Sequence, residues 1–199
     1  MFAAKLKAVF DECFKVLKAD GSFIFTYHHS RAEGWTSLVE AVYGAGFSVI
    51  NAHPVKSELS VAAPKAQAKE PIQLDVILVC RKRAVDHRQP LGPTDALNDS
   101  LRRASAKLSR LASTGFRLSL NDKRIVMISQ FIAAIGPVAS PEQAIQTLLE
   151  IQPRLEQAAS HPLPVPFVGD AMSKNSMDPE GLASKQLSLA FEISRSSSD

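Results

Sequence analysis

The chain has 199 residues, 45% of them hydrophobic and 22% charged, an ordinary balance for a soluble globular protein, so composition alone names no function. Its two cysteines, Cys13 and Cys80, both fall in apolar patterns, which excludes a disulfide framework and a cysteine-built zinc site. No apolar run approaches the roughly 18 residues of a membrane span and the N-terminus lacks a signal-peptide layout, so the expectation is a cytoplasmic protein.

In chain order, Phe2, Leu6, Val9, Phe10, Cys13 and Leu17 recur at helical spacing, and Asp20-Gly21 supplies the stop. This first helix has no N-terminal cap and no strand ahead of it, although so continuous an apolar stripe needs a sheet to lie on. The expectation is that the sequence starts downstream of earlier elements. Phe23, Ile24 and Phe25 put large apolar side chains on both faces of a strand, the pattern of an interior, mid-sheet strand. Thr26, Tyr27, His28 and His29 follow at its C-terminal end, where open α/β sheets place ligands.

Ser30-Arg31-Ala32-Glu33 has the form of a capping box, predicting a helix with Trp35, Leu38, Val39 and Val42 as its buried stripe. Gly44 and Gly46 end it. Phe47 to Ala52 predicts the next strand, closed by His53-Pro54, and completes a strand, helix, strand crossover. Residues 56–73 are rich in Ala, Ser, Lys and Pro and read as a loop. Asp75 to Cys80 predicts a buried strand, paired antiparallel with Phe47 to Ala52.

Pro90 to Pro93 marks a boundary. Leu101, Ala104, Leu108 and Leu111 then stripe a helix whose other positions hold Arg102, Arg103, Lys107 and Arg110. Asp122 to Ile135 offers a second apolar helix, and Ser140-Pro141-Glu142 opens a third with serine as cap. Beyond about His161 the composition turns to Pro, Ser, Met and Asp, the pattern of a poorly ordered tail. Between Arg81 and Arg124 eleven Lys or Arg face four acids, a local charge of +7 against −4 for the remainder. Such clustering suits either a polyanion partner or a solvated helix face.

The strings LKADGSFIFTYHH, AEGWTSLVEAVYGAGFSVINAHPVKSE and LDVILVCRKR, spanning roughly residues 5–83, resemble the C-terminal half of the catalytic domain of bacterial adenine-specific DNA methyltransferases. The likeness is to the large DNA methylases found near anti-phage loci. Leu17, Gly21, His28, His29, Trp35, Gly46, Phe47, Pro54, Val55 and Glu58 carry it. FIAAIGPVASPEQAIQTLLEI, within 119–157, resembles the helical C-terminal region of that family.

The resemblance implies an incomplete Rossmann-like sheet over residues 1–83, a helical extension over 84–160 and a tail over 161–199. It implies methyl transfer from S-adenosylmethionine to an adenine amine in DNA, which needs an extruded base. The motifs for that chemistry are absent. Gly44-Ala45-Gly46 follows a helix where the cofactor's Gly-rich turn follows a strand, and the PFVGD string at 166–170 lacks a second glycine. Asp178-Pro179-Glu180-Gly181 lacks the aromatic ring and second proline of the family's catalytic tetrapeptide. The expectation is therefore a fragment, inactive alone and not binding S-adenosylmethionine by itself, with the strand Phe23 to Tyr27 leaving an unpaired edge.

Its partners would be DNA, and an N-terminal methyltransferase chain or a second copy at that edge. The alternative is a non-catalytic DNA-binding or assembly module. His28 and His29 either contact the target base or its phosphate, or simply finish a strand with polar groups. Glu58 either positions substrate or braces its loop. Arg102, Arg103, Lys107 and Arg110 either track DNA phosphates or form a soluble face. Trp35, on the buried stripe, reads as core, and His28, His29 and His53 lack the spacing for a metal.

Overall fold

The computed structural model describes residues 2–57, 72–138 and 140–160. The elements are α1 (Phe2–Val16), β1 (Ser22–Tyr27), α2 (Ala32–Gly44), β2 (Phe47–Lys56), β3 (Leu74–Lys82), α3 (Pro93–Ser113), α4 (Leu120–Ala134) and α5 (Pro141–Ser160), with a single 3-10 turn at Arg83–Val85. This is an α/β chain. Its three strands stand in the order β1-β3-β2, with β3 antiparallel to both neighbours. It follows that β1 and β2 are parallel to each other, joined through α2, with β3 inserted between them.

Among the described residues β1 is an edge strand, as expected of an incomplete sheet, and not the mid-sheet strand that its apolar triplet predicts. Its alternation shows why. Phe23, Phe25 and Tyr27 share a face with Cys80, Leu78 and Val76 and are packed, whereas Ile24 stays 56% exposed on the other face. Three consecutive apolar residues say that both faces are greasy; they do not say that both are covered.

β2 also runs further than the sequence suggests, through Pro54 to Lys56. Pro54 pairs with Val76, and the strand tolerates it because β2 is the other edge of the sheet, where a missing N–H costs no ladder bond. A register shift between Val49 and Asn51 makes a bulge around Ile50.

The helices cover one face of the sheet. Phe10 of α1 sits 5.1 and 5.0 Å, ring to ring, from Phe23 and Phe25, and Phe14 lies 5.2 Å from Phe47. Gly46, with φ of 86°, lets the chain turn from α2 into β2 where a Cβ would come within 3.0 Å of the Phe14 ring. α4 lies on β2 and β3, and α5 packs on α2 and α4. One hydrophobic cluster runs from Phe10 to Ala159, so residues before and after Arg83 share a core. The opposite face of the sheet, with Ile24, Thr26, Ile77 and Val79, is exposed or half-buried.

Two helix starts differ in kind. The expected capping box at Ser30 and Glu33 does not form: α2 starts at Ala32 behind Arg31, which makes no side-chain cap bond. The box forms instead at Ser119 and Asp122, where each side chain accepts the other's backbone N–H. α4 accordingly starts at Leu120, two residues ahead of the apolar run. At α5 the Gln143 amide donates to the Ser140 hydroxyl at 3.2 Å, as a serine cap should accept.

Candidate functional site

The end of β1 and the start of α2 form a braced turn around the two histidines. Trp35 Nε1 donates to the His29 carbonyl at 2.9 Å, and the Tyr27 hydroxyl donates to the Gly34 carbonyl at 2.8 Å. The Arg31 amide donates to His29 Nδ1 at 3.1 Å, so this ring holds the backbone at the N-cap position of α2. Gly34 makes the room: a Cβ there would fall 2.1 Å from His29 Cγ. Burial pushes the Tyr27 hydroxyl up to about 12, so it remains a neutral donor through the physiological range. Trp35, fully buried, is thus core and brace at once.

His28 points elsewhere. Its Nδ1 meets an Asp75 carboxylate oxygen, a hydrogen-bonding contact between side chains 39% and 27% exposed. No sequence pattern marks this pair, because the partners lie 47 residues apart. Only the antiparallel register, in which Tyr27 faces Val76, brings Asp75 beside His28. The result is an imidazole oriented by a carboxylate, with its other nitrogen free to meet a ligand. On the His29 side of the turn an open depression of about 540 Å³ is lined by Phe2, His29, Arg31, Glu33, Gly34 and Ser37, without His28.

The basic residues of α3 do not form a uniform stripe. Arg102 and Arg103 both pair with Asp99, the second at 2.6 Å, so three charges leave a net of one. Arg102 nonetheless keeps 75% of its side chain exposed. Lys107 turns inward, donating to the Ala52 carbonyl and, at 3.2 Å, to Asn51 Oδ1. Burial, then the positive charges of Arg103 and Arg110, lower its pKa to about 8. His53, on the adjoining edge of β2, is held below its ordinary value by burial and then by Lys107. Lys107 is therefore a structural latch on β2, and Arg102, Arg103 and Arg110 remain as the outward charges.

Other side chains close the same edge. Gln130 donates to Ala52 O and Arg88 to Val49 O, each at 2.9 Å. Arg88 is anchored by Asp86, which also accepts from the Ser48 hydroxyl at 2.6 Å. Sequence reading singled out none of Asp75, Gly34, Asp86, Arg88 and Gln130 for a role, and none carries a local signal for one.

Glu58 and the strings at 166–170 and 178–181 lie outside the described residues. Cβ atoms at Gly44 and Gly46 would meet Lys7 and Phe14, at 3.1 and 3.0 Å. Side chains thus cover the backbone at these two positions, which does not fit S-adenosylmethionine there. Among the described residues no group of three His, Cys, Asp or Glu is placed to hold a metal, and no helix is long and apolar enough to cross a membrane. No family model, curated protein or solved structure matches the chain.

Proposed function

We propose that this chain supplies the target-side half of an adenine-specific DNA methyltransferase core, binding DNA without transferring a methyl group by itself. One observation carries the reading. His28, oriented by Asp75, stands at the C-terminal end of a strand that is linked by a crossover helix to a second parallel strand, the position at which open α/β sheets meet their ligands. The uncovered sheet face and the free edge of β1 fit a Rossmann-like sheet whose remaining strands and covering helices come from elsewhere. In this reading His28 contacts the flipped base or its phosphate through Nε2, His29 shapes the depression, and Arg102, Arg103 and Arg110 hold the backbone.

The test is DNA titration by fluorescence anisotropy at two salt concentrations, with and without His28→Ala. The wild-type chain is expected to bind with a salt-dependent affinity, His28→Ala to lose about tenfold, near 1.4 kcal/mol, and Arg102→Ala with Arg110→Ala to reduce the salt slope by about 2. No DNA binding at low salt would overturn the proposal. Transfer of labelled methyl groups by the unaided chain would overturn its second half. The other reading, an assembly module for a separate methyltransferase chain, is favoured by the free β1 edge and predicts binding to that chain with no DNA affinity of its own.

A further inference from the structure

The two edges of the sheet are treated differently. β2 carries the protection that natural sheets use: a proline in the strand, a bulge, and the Arg88, Lys107 and Gln130 side chains on its carbonyls. β1 has none of these. The segment SFIFTY contains no charge, proline or bulge, and among the described residues it pairs on one side only. The helix beside it adds to the exposed apolar surface. Phe10 of α1 faces β1, while Lys7 and Phe14 face the end of α2 at Gly44 and Gly46. On the flank turned away from α2 stand Phe2, Val9 and Val16, at seven-residue spacing and 57%, 58% and 86% exposed.

We propose that this flank is a homodimer interface, in which β1 pairs antiparallel with β1 of a second copy about a two-fold axis through Ile24, making one continuous six-stranded sheet. The occupant is identified by self-complementarity. Placing Ile24 on the axis sets Phe23 opposite the second copy's Phe25 on the packed face and Ser22 opposite its Thr26 on the other. The same register brings Asp20 of each copy level with His28 of the other, acid against base at both ends. α1 then runs antiparallel to its mate, with Val9 near Val9, Phe2 near Val16, and Lys5 near Glu12. An axis of this kind closes on itself and consumes both free edges, leaving none for filament growth. Leu149 on α5 is the rival apolar spot, 51% exposed but single.

Sedimentation equilibrium of the full chain measures the outcome. The expected mass is about twice the 21.6 kDa of one chain. Ile24→Lys, which sets two ammonium groups against each other on the axis, and Val9→Glu should each return the mass to that of one chain, with far-UV circular dichroism unchanged because both positions are exposed. Leu149→Lys should leave the dimer intact. The proposal is overturned by a wild-type monomer, the result expected if a different chain occupies the edge, and equally by open-ended oligomers. It is also overturned if Ile24→Lys and Val9→Glu remain dimeric, or if Leu149→Lys alone dissociates it. The dimer is the state of the chain by itself; the remaining strands of the core proposed above would take the same edge and displace the second copy, and none of these readouts involves DNA, so they stand apart from the binding test above.

Discussion

At the scale of single residues, the site depends on side chains that hold other side chains. Gly34→Ala separates two opposed effects. A helix interior gains up to about 1 kcal/mol from alanine over glycine, but here the new methyl would enter the His29 ring, which cannot swing away without giving up the Arg31 amide. The clash should win, with a net loss of about 1–3 kcal/mol in urea unfolding. An unchanged midpoint would show that His29 is not held as described.

Lys107 gives a pH signature. Its folded pKa of about 8 lies below the ordinary 10.5, so between those values the unfolded chain binds more protons. Stability should therefore rise with pH across that window, the cost of burying the charge being complete below about 8 and absent above 10.5. Lys107→Met should remove this rise, checked by thermal melts from pH 7 to 10.5. A parallel shift of wild type and variant would sink the assignment.

Among elements, α4 starts at Leu120, two residues ahead of the apolar run that predicts it. The apolar run marks where the helix becomes core, whereas its first turn is fixed by hydrogen bonds. Asp122 accepts from the Ser119 amide and hydroxyl at 3.0 and 2.8 Å, and also from the Gln73 and Leu74 amides at 2.9 and 3.1 Å. One fully buried carboxylate thereby closes the cap and ties α4 to the head of β3. Asp122→Asn leaves an amide nitrogen facing donors and should cost about 2–5 kcal/mol; Ser119→Ala, losing the cap alone, about 1 kcal/mol. Equal losses in denaturant unfolding would mean that the link to β3 contributes nothing. Ser30 and Glu33 have the same sequence form without the box, because α2 takes Arg31 as its N-cap, one residue after Ser30, which moves Glu33 off the N3 position.

Across the whole molecule, sheet order decides what is open and what is closed. The hairpin of β2 with β3 was legible from two apolar runs, but the insertion of β3 between β1 and β2 was not. That insertion makes both outer strands edges, and the side chains of α3, α4 and the segment after β3 seal only one of them. The basic stretch from Arg81 to Arg124 was legible as charge, yet its use is divided. Arg88 and Lys107 serve the fold, two arginines share Asp99, and what remains for a polyanion is smaller than the count suggests.

The sequence by itself determined where helices and strands lie, which stripe of each is apolar, and that a polar, histidine-bearing segment follows the first strand, because periodicity and turn chemistry act over a few residues. Only the tertiary structure decided that Asp75 orients His28, that Asp122 reaches Leu74, and that β3 stands between β1 and β2 while side chains seal the β2 edge. Those outcomes depend on strand order and register between residues tens of positions apart, which no local pattern encodes.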